Sequence, residues 1–138
     1  MKKQTFFLII IVLLIVSPSG SFSKESVHVD VLYMDHGPMQ PTLRQLRALF
    51  LDYKDKLTVS WYDFESEEGI DFKAKMGINQ HIPMIIWVNG KSELFVQDHK
   101  GKDRKIKFTG FPTGSGPSFF QGKWKVEDLA DLLDQRIK

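Results

Sequence analysis

The stretch 27–54 constrains the fold more than any other part of the chain. The stretch VHVDVLYM at 27–34, apolar except for His28 and Asp30, predicts a strand that is largely buried on both faces. Gly37 and Pro38 then end the strand, because glycine and proline interrupt regular pairing. Over 42–54 apolar residues recur at helical spacing, which predicts an amphipathic helix. The chain therefore begins its fold with a strand, a sharp break and a helix.

The next segments extend this start into a β-α-β unit. Residues 57–64 have the composition of a second strand. A shorter helix is predicted after it, with Ser66 as its N-cap and Gly77 as its C-cap. A third strand at 83–88 follows.

The C-terminal half predicts antiparallel strands and a closing helix. Asn89-Gly90 is typical of a primed hairpin turn, with 92–97 as the partner of the third strand and a further strand after a second turn. Five apolar positions mark an amphipathic helix at the end: Val126, Leu129, Ala130, Leu133 and Ile137. The whole order predicts an α/β fold with a mixed central sheet flanked by helices and an extended C-terminal β-hairpin.

The N-terminal region has the layout of a secretory signal peptide. Lys2 and Lys3 precede an apolar run over 6–16, and the small residues of SPSGSFS follow it. The run is shorter than the ~20 residues of a spanning helix, so a retained membrane anchor is the less favoured interpretation. We therefore expect a signal peptide at 1–23 and a mature domain at 24–138 that touches the membrane only during export. Its location would be periplasmic or extracellular.

Cysteine is absent from the sequence. Thiol-disulfide exchange, cysteine nucleophilic catalysis and thiolate metal sites are therefore excluded. Without Lys2 and Lys3 the chain has equal numbers of basic and acidic residues, so no nucleic-acid partner is expected. The basic stretch 99–107 is interpreted as a solvated hairpin tip in preference to a nucleic-acid or anionic-lipid patch.

Three segments resemble thioredoxin-fold proteins. In VDVLYMDHGPM, the residues His36, Gly37, Pro38 and Met39 stand where that family has Cys-Gly-Pro-Cys, and Asp30 stands where it keeps a buried carboxylate. LTVSWYDFE resembles the next strand of the family, and KMGINQHIPMIIWVNGK resembles the segment that carries its cis-proline. The likeness covers nearly all of the mature part.

The resemblance implies a thioredoxin-like fold and a site that can bind but cannot exchange disulfides. By this analogy Ile82 and Pro83 would form a cis-proline groove, against which an extended partner segment adds as a strand. The chain would then be a non-catalytic binding or assembly module with a protein or peptide partner and no cofactor. The alternative is that Gly37 and Pro38 only shape the entry into the helix.

A soft-metal site is a second functional hypothesis. Thioether and imidazole groups suit Cu(I) without any thiolate, and five such residues are near the motif and the proline in the assumed fold: Met34, His36, Met39, His81 and Met84. The competing interpretation is that the methionines fill the core and the histidines are solvated.

Asp30 and the stretch 110–124 each leave two interpretations open. Asp30, with His28 on the same face of its strand, would be either a general base or a structural buried carboxylate.

The stretch 110–124 lacks the ending of a phosphate loop. Its four aromatic residues would either tuck under the loop or form a patch that docks a partner: Phe111, Phe119, Phe120 and Trp124.

Overall fold

The computed structural model describes residues 25–137. In chain order the elements are β1 (Val27–Tyr33), α1 (Gln40–Leu51), β2 (Leu57–Asp63), α2 (Glu67–Met76), β3 (Met84–Val88), β4 (Glu93–Gln97), β5 (Asp103–Lys107) and α3 (Val126–Ile137). Short 3-10 turns lie at Gly37–Met39, Lys54–Lys56 and Ser118–Phe120. The predicted signal peptide lies outside the described residues. Within them, no helix has both the length and the apolar character needed to cross a membrane.

The central sheet has the strand order β2-β1-β3. β1 runs parallel to β2, with Val27 opposite Leu57, and antiparallel to β3, with Val29 opposite Val88. Parallel and antiparallel pairs in one sheet, with helices between the strands, confirm the predicted mixed α/β class.

Helices cover both faces of this sheet. On one face β1 and β3 pack against α1 and α3, with fully buried residues such as Val29, Leu46 and Leu133. On the other face Leu32 and Trp87 pack against Phe72 of α2 in a smaller cluster. Burial on both sides explains why β3 is a continuous apolar run in the sequence, whereas β1 has the polar residues His28 and Asp30 where one of its faces is only partly covered.

Several local predictions are confirmed. Ser66 caps α2, because its Oγ accepts a hydrogen bond from the N–H of Gly69 at 3.0 Å. Gly77 ends that helix in the left-handed conformation, with φ of 67°. Asn89 and Gly90 have φ values of 48° and 80°, as a primed turn requires.

The partner predicted for β4 was wrong. The antiparallel contact between β3 and the chain after the turn stops at the bridge from Val88 to Lys91, and β4 instead pairs with β5 in a separate two-stranded sheet. The edge of β3 is occupied by the chain that follows β5. There the N–H of Ile86 donates to the carbonyl of Phe108 at 2.9 Å, and the N–H of Gly110 donates to that of Met84 at 2.8 Å.

Candidate functional site

Backbone hydrogen bonds bring the predicted motif and the proline segment to the same end of the central sheet. The N–H of Met34, just after β1, donates to the carbonyl of Pro83 at 2.9 Å. The N–H of His36 donates to the carbonyl of Met34 at 2.9 Å. On the other side of β1 the N–H of Phe64 donates to the carbonyl of Tyr33 at 2.8 Å. Segments far apart in sequence therefore meet where β1 and β2 end and β3 begins.

The motif itself forms a tight turn into α1. Gly37–Met39 is a 3-10 turn, and His36 before it has extended backbone with no side-chain capping bond. The side chain of Met39 is only 1% exposed and belongs to the main core, whereas His36 is exposed. Of the two residues that stand in the cysteine positions, only His36 is therefore available to a partner at the surface.

The prediction of a cis bond before Pro83 was wrong. The described residues contain no cis peptide bond, so Ile82–Pro83 is trans, the lower-energy isomer. The backbone here is also already engaged: the N–H of Ile82 donates to the carbonyl of Gln80 at 3.1 Å, and the carbonyl of Pro83 accepts from Met34. Proline has no N–H to offer. Strand addition along this dipeptide would therefore require the bond between Ile82 and Gln80 to open.

Asp30 is half-buried, where a buried carboxylate was expected. Its side chain is 14% exposed, and its Oδ1 lies 3.0 Å from Nε2 of His28, which is 44% exposed. Leu32, two residues further along the same face, is fully buried against the layer that contains Phe72 of α2. Side-chain exposure on this face of β1 therefore falls from His28 through Asp30 to Leu32, which is the residue that packs in the cluster with Phe72. Asp30 thus interacts with a neighbouring histidine on its own strand.

The residues proposed as copper ligands differ sharply in exposure. Met39 and Met84 are buried in the main core, with 1% and 0% exposure, while His36 and His81 are exposed. Within residues 25–137 no group of three or more His, Cys, Asp or Glu side chains is arranged to hold a metal ion. The copper hypothesis gains no support from this arrangement and stays a prediction.

A row of four aromatic rings lies beside the proline segment, and we call it the aromatic ridge: Phe64, His81, Phe120 and Phe119. Ring centroids are 6.4 Å apart between Phe64 and His81, 6.1 Å between His81 and Phe120, and 4.3 Å between Phe120 and Phe119. Phe119 is 78% exposed. The ammonium of Lys73 lies 3.6 Å from the centre of the Phe64 ring, an attractive cation–π contact. The ridge offers a partner aromatic surface with one cation at its end.

The loop over 110–124 supports the ridge from below. Phe111 and Trp124 are buried, and the N–H of Phe111 donates to the carbonyl of Phe120 at 2.9 Å. The indole N–H of Trp124 donates to the carbonyl of Thr109 at 3.2 Å. Gly122 is held so closely that a Cβ there would lie 2.0 Å from that same oxygen. Phe111 and Trp124 thus tuck under the loop, as one interpretation expected, while Phe119 is exposed, as the other expected.

Sequence reasoning did not identify Phe64 as part of this surface, nor the ring contacts of His81. Phe64 directly follows a strand and His81 lies in a polar loop, so neither has a periodic or motif signal. Only the long-range contact of 81 with 64 and 120 shows their relation.

A cleft of about 380 Å³ adjoins the proline segment on the α2 side of the sheet. Ile82, Ile85 and Trp87 contribute its apolar lining, and Lys107 lies at the same cleft. The cleft lies between the C-terminal end of α2 at Met76, the loop that follows it, and Ile85 and Trp87 of β3.

Comparison with known proteins gives no family for this chain. It matches no protein-family model, and no similar protein was found among the curated proteins. Its function is therefore inferred from its own residues.

Proposed function

We propose that this protein is a secreted, thioredoxin-like binding or assembly module without thiol-disulfide activity. Its partner is a protein or peptide that docks at the end of the sheet beside Pro83. The absence of cysteine supports the lack of redox activity, because no residue of the chain can form a thiolate. The signal peptide predicted at 1–23 supports a partner in the periplasm or outside the cell.

The topology supports the thioredoxin-like part of the proposal. A β-α-β unit with β1 parallel to β2, followed by a helix and an antiparallel β3 on the other side of β1, is the arrangement that the resemblance implies. The turn at Gly37–Met39 leads directly into α1, as the motif does in that family. The trans bond before Pro83 is a departure from the family pattern.

The observation that carries the binding role is the aromatic ridge beside Ile82, in which His81 and Phe119 are exposed and Phe64 and Phe120 are half-buried. Aromatic side chains are enriched at binding hot spots because they contribute a large contact area with few rotatable bonds. Phe119 remains 78% exposed although the loop under it is firmly hydrogen-bonded. Because Pro83 is buried and the backbone of Ile82 and Pro83 is already engaged, we place the contact on the rings of the ridge, rather than on an added strand.

Site-specific photo-crosslinking tests this function. A benzophenone amino acid is introduced at position 119, and the full chain is produced with its own N-terminal segment in the organism that encodes it. We expect a discrete covalent adduct from position 119. Phe95 is the matched control, because it is an exposed phenylalanine, 64% accessible, on β4. Adducts of equal yield and identity from 119 and 95, or none from 119, would contradict the proposal.

Titration with Cu(I) tests the competing metal role. Binding tighter than about micromolar that is lost in a variant with His36→Ala and His81→Ala would favour the metal hypothesis over docking.

A further inference from the structure

The outer edge of β2 is open. β2 pairs with β1 alone, and among the described residues no other strand adjoins it. Because the N–H of Phe64 points toward β1, the backbone groups of every second residue point the same way, and those of Leu57, Val59 and Trp61 point outward. These three residues present a row of outward N–H and C=O groups.

The strand carries none of the usual features that protect an edge from pairing. Its sequence LTVSWYD is rich in β-branched and aromatic residues, contains no proline or lysine, and is uncharged until Asp63. Its register with β1 is unbroken over all seven residues, so no bulge twists the edge away. The half-buried side chains of Val59 and Trp61 add apolar surface beside the open edge.

The charges at the two ends of β2 are opposite. Lys54 and Lys56 precede the strand, with Asp55 between them, whereas four acidic residues lie at its end and just beyond: Asp63, Glu65, Glu67 and Glu68. An antiparallel copy of the same strand would bring the basic start of each copy to the acidic end of the other. A parallel copy would instead bring like charges together.

We propose that two copies of this protein associate through their β2 edges, in antiparallel orientation about a two-fold axis. The axis passes near Ser60, so that Val59 of each copy lies opposite Trp61 of the other. Both residues have outward backbone groups and exchange a pair of hydrogen bonds. The interface is isologous and joins the two sheets into one continuous sheet of six strands.

A charge-swap series tests the interface by sedimentation velocity on the purified protein. We expect the wild-type protein to dimerise with a dissociation constant of about 10–100 µM, as is typical of a small interface. Lys56→Glu or Glu65→Lys alone should weaken association at least about tenfold, and the double variant should recover it. Lys105→Glu is the matched control, because it makes the same charge change on β5 and should leave association unchanged.

Two further variants separate this edge from other contacts. Val59→Pro removes an outward N–H while the bonds between β2 and β1 remain, so it should abolish dimers in a protein whose circular dichroism is unchanged. Phe119→Ser removes the exposed tip of the aromatic ridge and should leave the dimer intact. A protein that stays monomeric up to about 1 mM, or a dimer lost in Phe119→Ser but kept in the charge variants, would overturn the proposal.

Discussion

The guanidinium of Arg104 on β5 donates a hydrogen bond to Oδ1 of Asp128 in the first turn of α3. Oδ2 of the same carboxylate accepts from the backbone N–H of Lys125 at 2.8 Å, so Asp128 also caps the helix. One buried carboxylate thereby joins the β4–β5 sheet to the last helix.

Replacing Asp128 with alanine should destabilise the fold by about 2 kcal/mol, because it removes a cap and the partner of Arg104 together. The free energy of unfolding from urea titration measures the loss. Glu127→Ala is the matched control, since Glu127 is an exposed acid in the same turn, and it should cost under about 0.5 kcal/mol. Equal losses in the two variants would show that Asp128 acts only as one more acid near the helix N-terminus.

We expect the free energy of unfolding to fall at alkaline pH because of Tyr53. Burial, together with the hydrogen bond that its hydroxyl donates to Asp134 at 2.9 Å, holds the pKa of Tyr53 well above its usual 10. The unfolded chain therefore loses this proton before the folded chain does, and the free energy of unfolding falls as pH rises above about 10.

Unfolding titrations at pH 8 to 11 measure the effect of Tyr53. Tyr53→Phe should flatten part of the decline while costing about 1 kcal/mol at pH 8 through the lost hydrogen bond. Some decline should persist, because burial and nearby Asp63 also raise the pKa of Tyr33. An identical alkaline slope in Tyr53→Phe and wild type would contradict the assignment.

Two glycines should differ strongly in their tolerance of alanine. A Cβ at Gly122 would lie 2.0 Å from the carbonyl oxygen of Thr109, so Gly122→Ala should cost more than about 2 kcal/mol and disturb the loop under the aromatic ridge. Gly37→Ala should be close to neutral, because nothing lies within 4 Å of a Cβ there and its φ is not positive. Thermal unfolding of both variants gives the comparison. Strong destabilisation by Gly37→Ala would contradict the expectation that the motif turn tolerates a Cβ at position 37.

The purified protein should not accelerate the reduction of insulin by dithiothreitol. Disulfide exchange needs a thiolate that attacks and a second that resolves, and the chain contains neither. Turbidity from the insulin B chain, measured against a protein-free blank, tests this. Faster precipitation than in the blank would refute the redox-inactive proposal.

The β-α-β start and both ends of α2 could be predicted from the sequence, because they depend on neighbours, whereas α1 begins and ends two to three residues earlier than the predicted 42–54. Ser66 accepts a hydrogen bond from the N–H of Gly69, three residues away, and Gly77 and Gly90 adopt positive φ because they lack a side chain. Such preferences act over a few residues, so the sequence shows them directly. The pairing of β4 with β5 was not predicted, because residues 108–110, from a later part of the chain, hydrogen-bond to the edge of β3.

In the candidate site, too, some features followed from the sequence and others depended on the tertiary structure. The absence of cysteine determined from sequence alone that no thiol chemistry occurs, because composition settles which atoms exist. Tertiary packing decided the rest. It buried Met39, left Asp30 14% exposed beside His28, and kept the bond before Pro83 trans. It also brought Phe64, His81 and Phe120 into one surface. Burial and ring contacts depend on which distant segments share a face of the sheet, and a linear pattern does not carry that information.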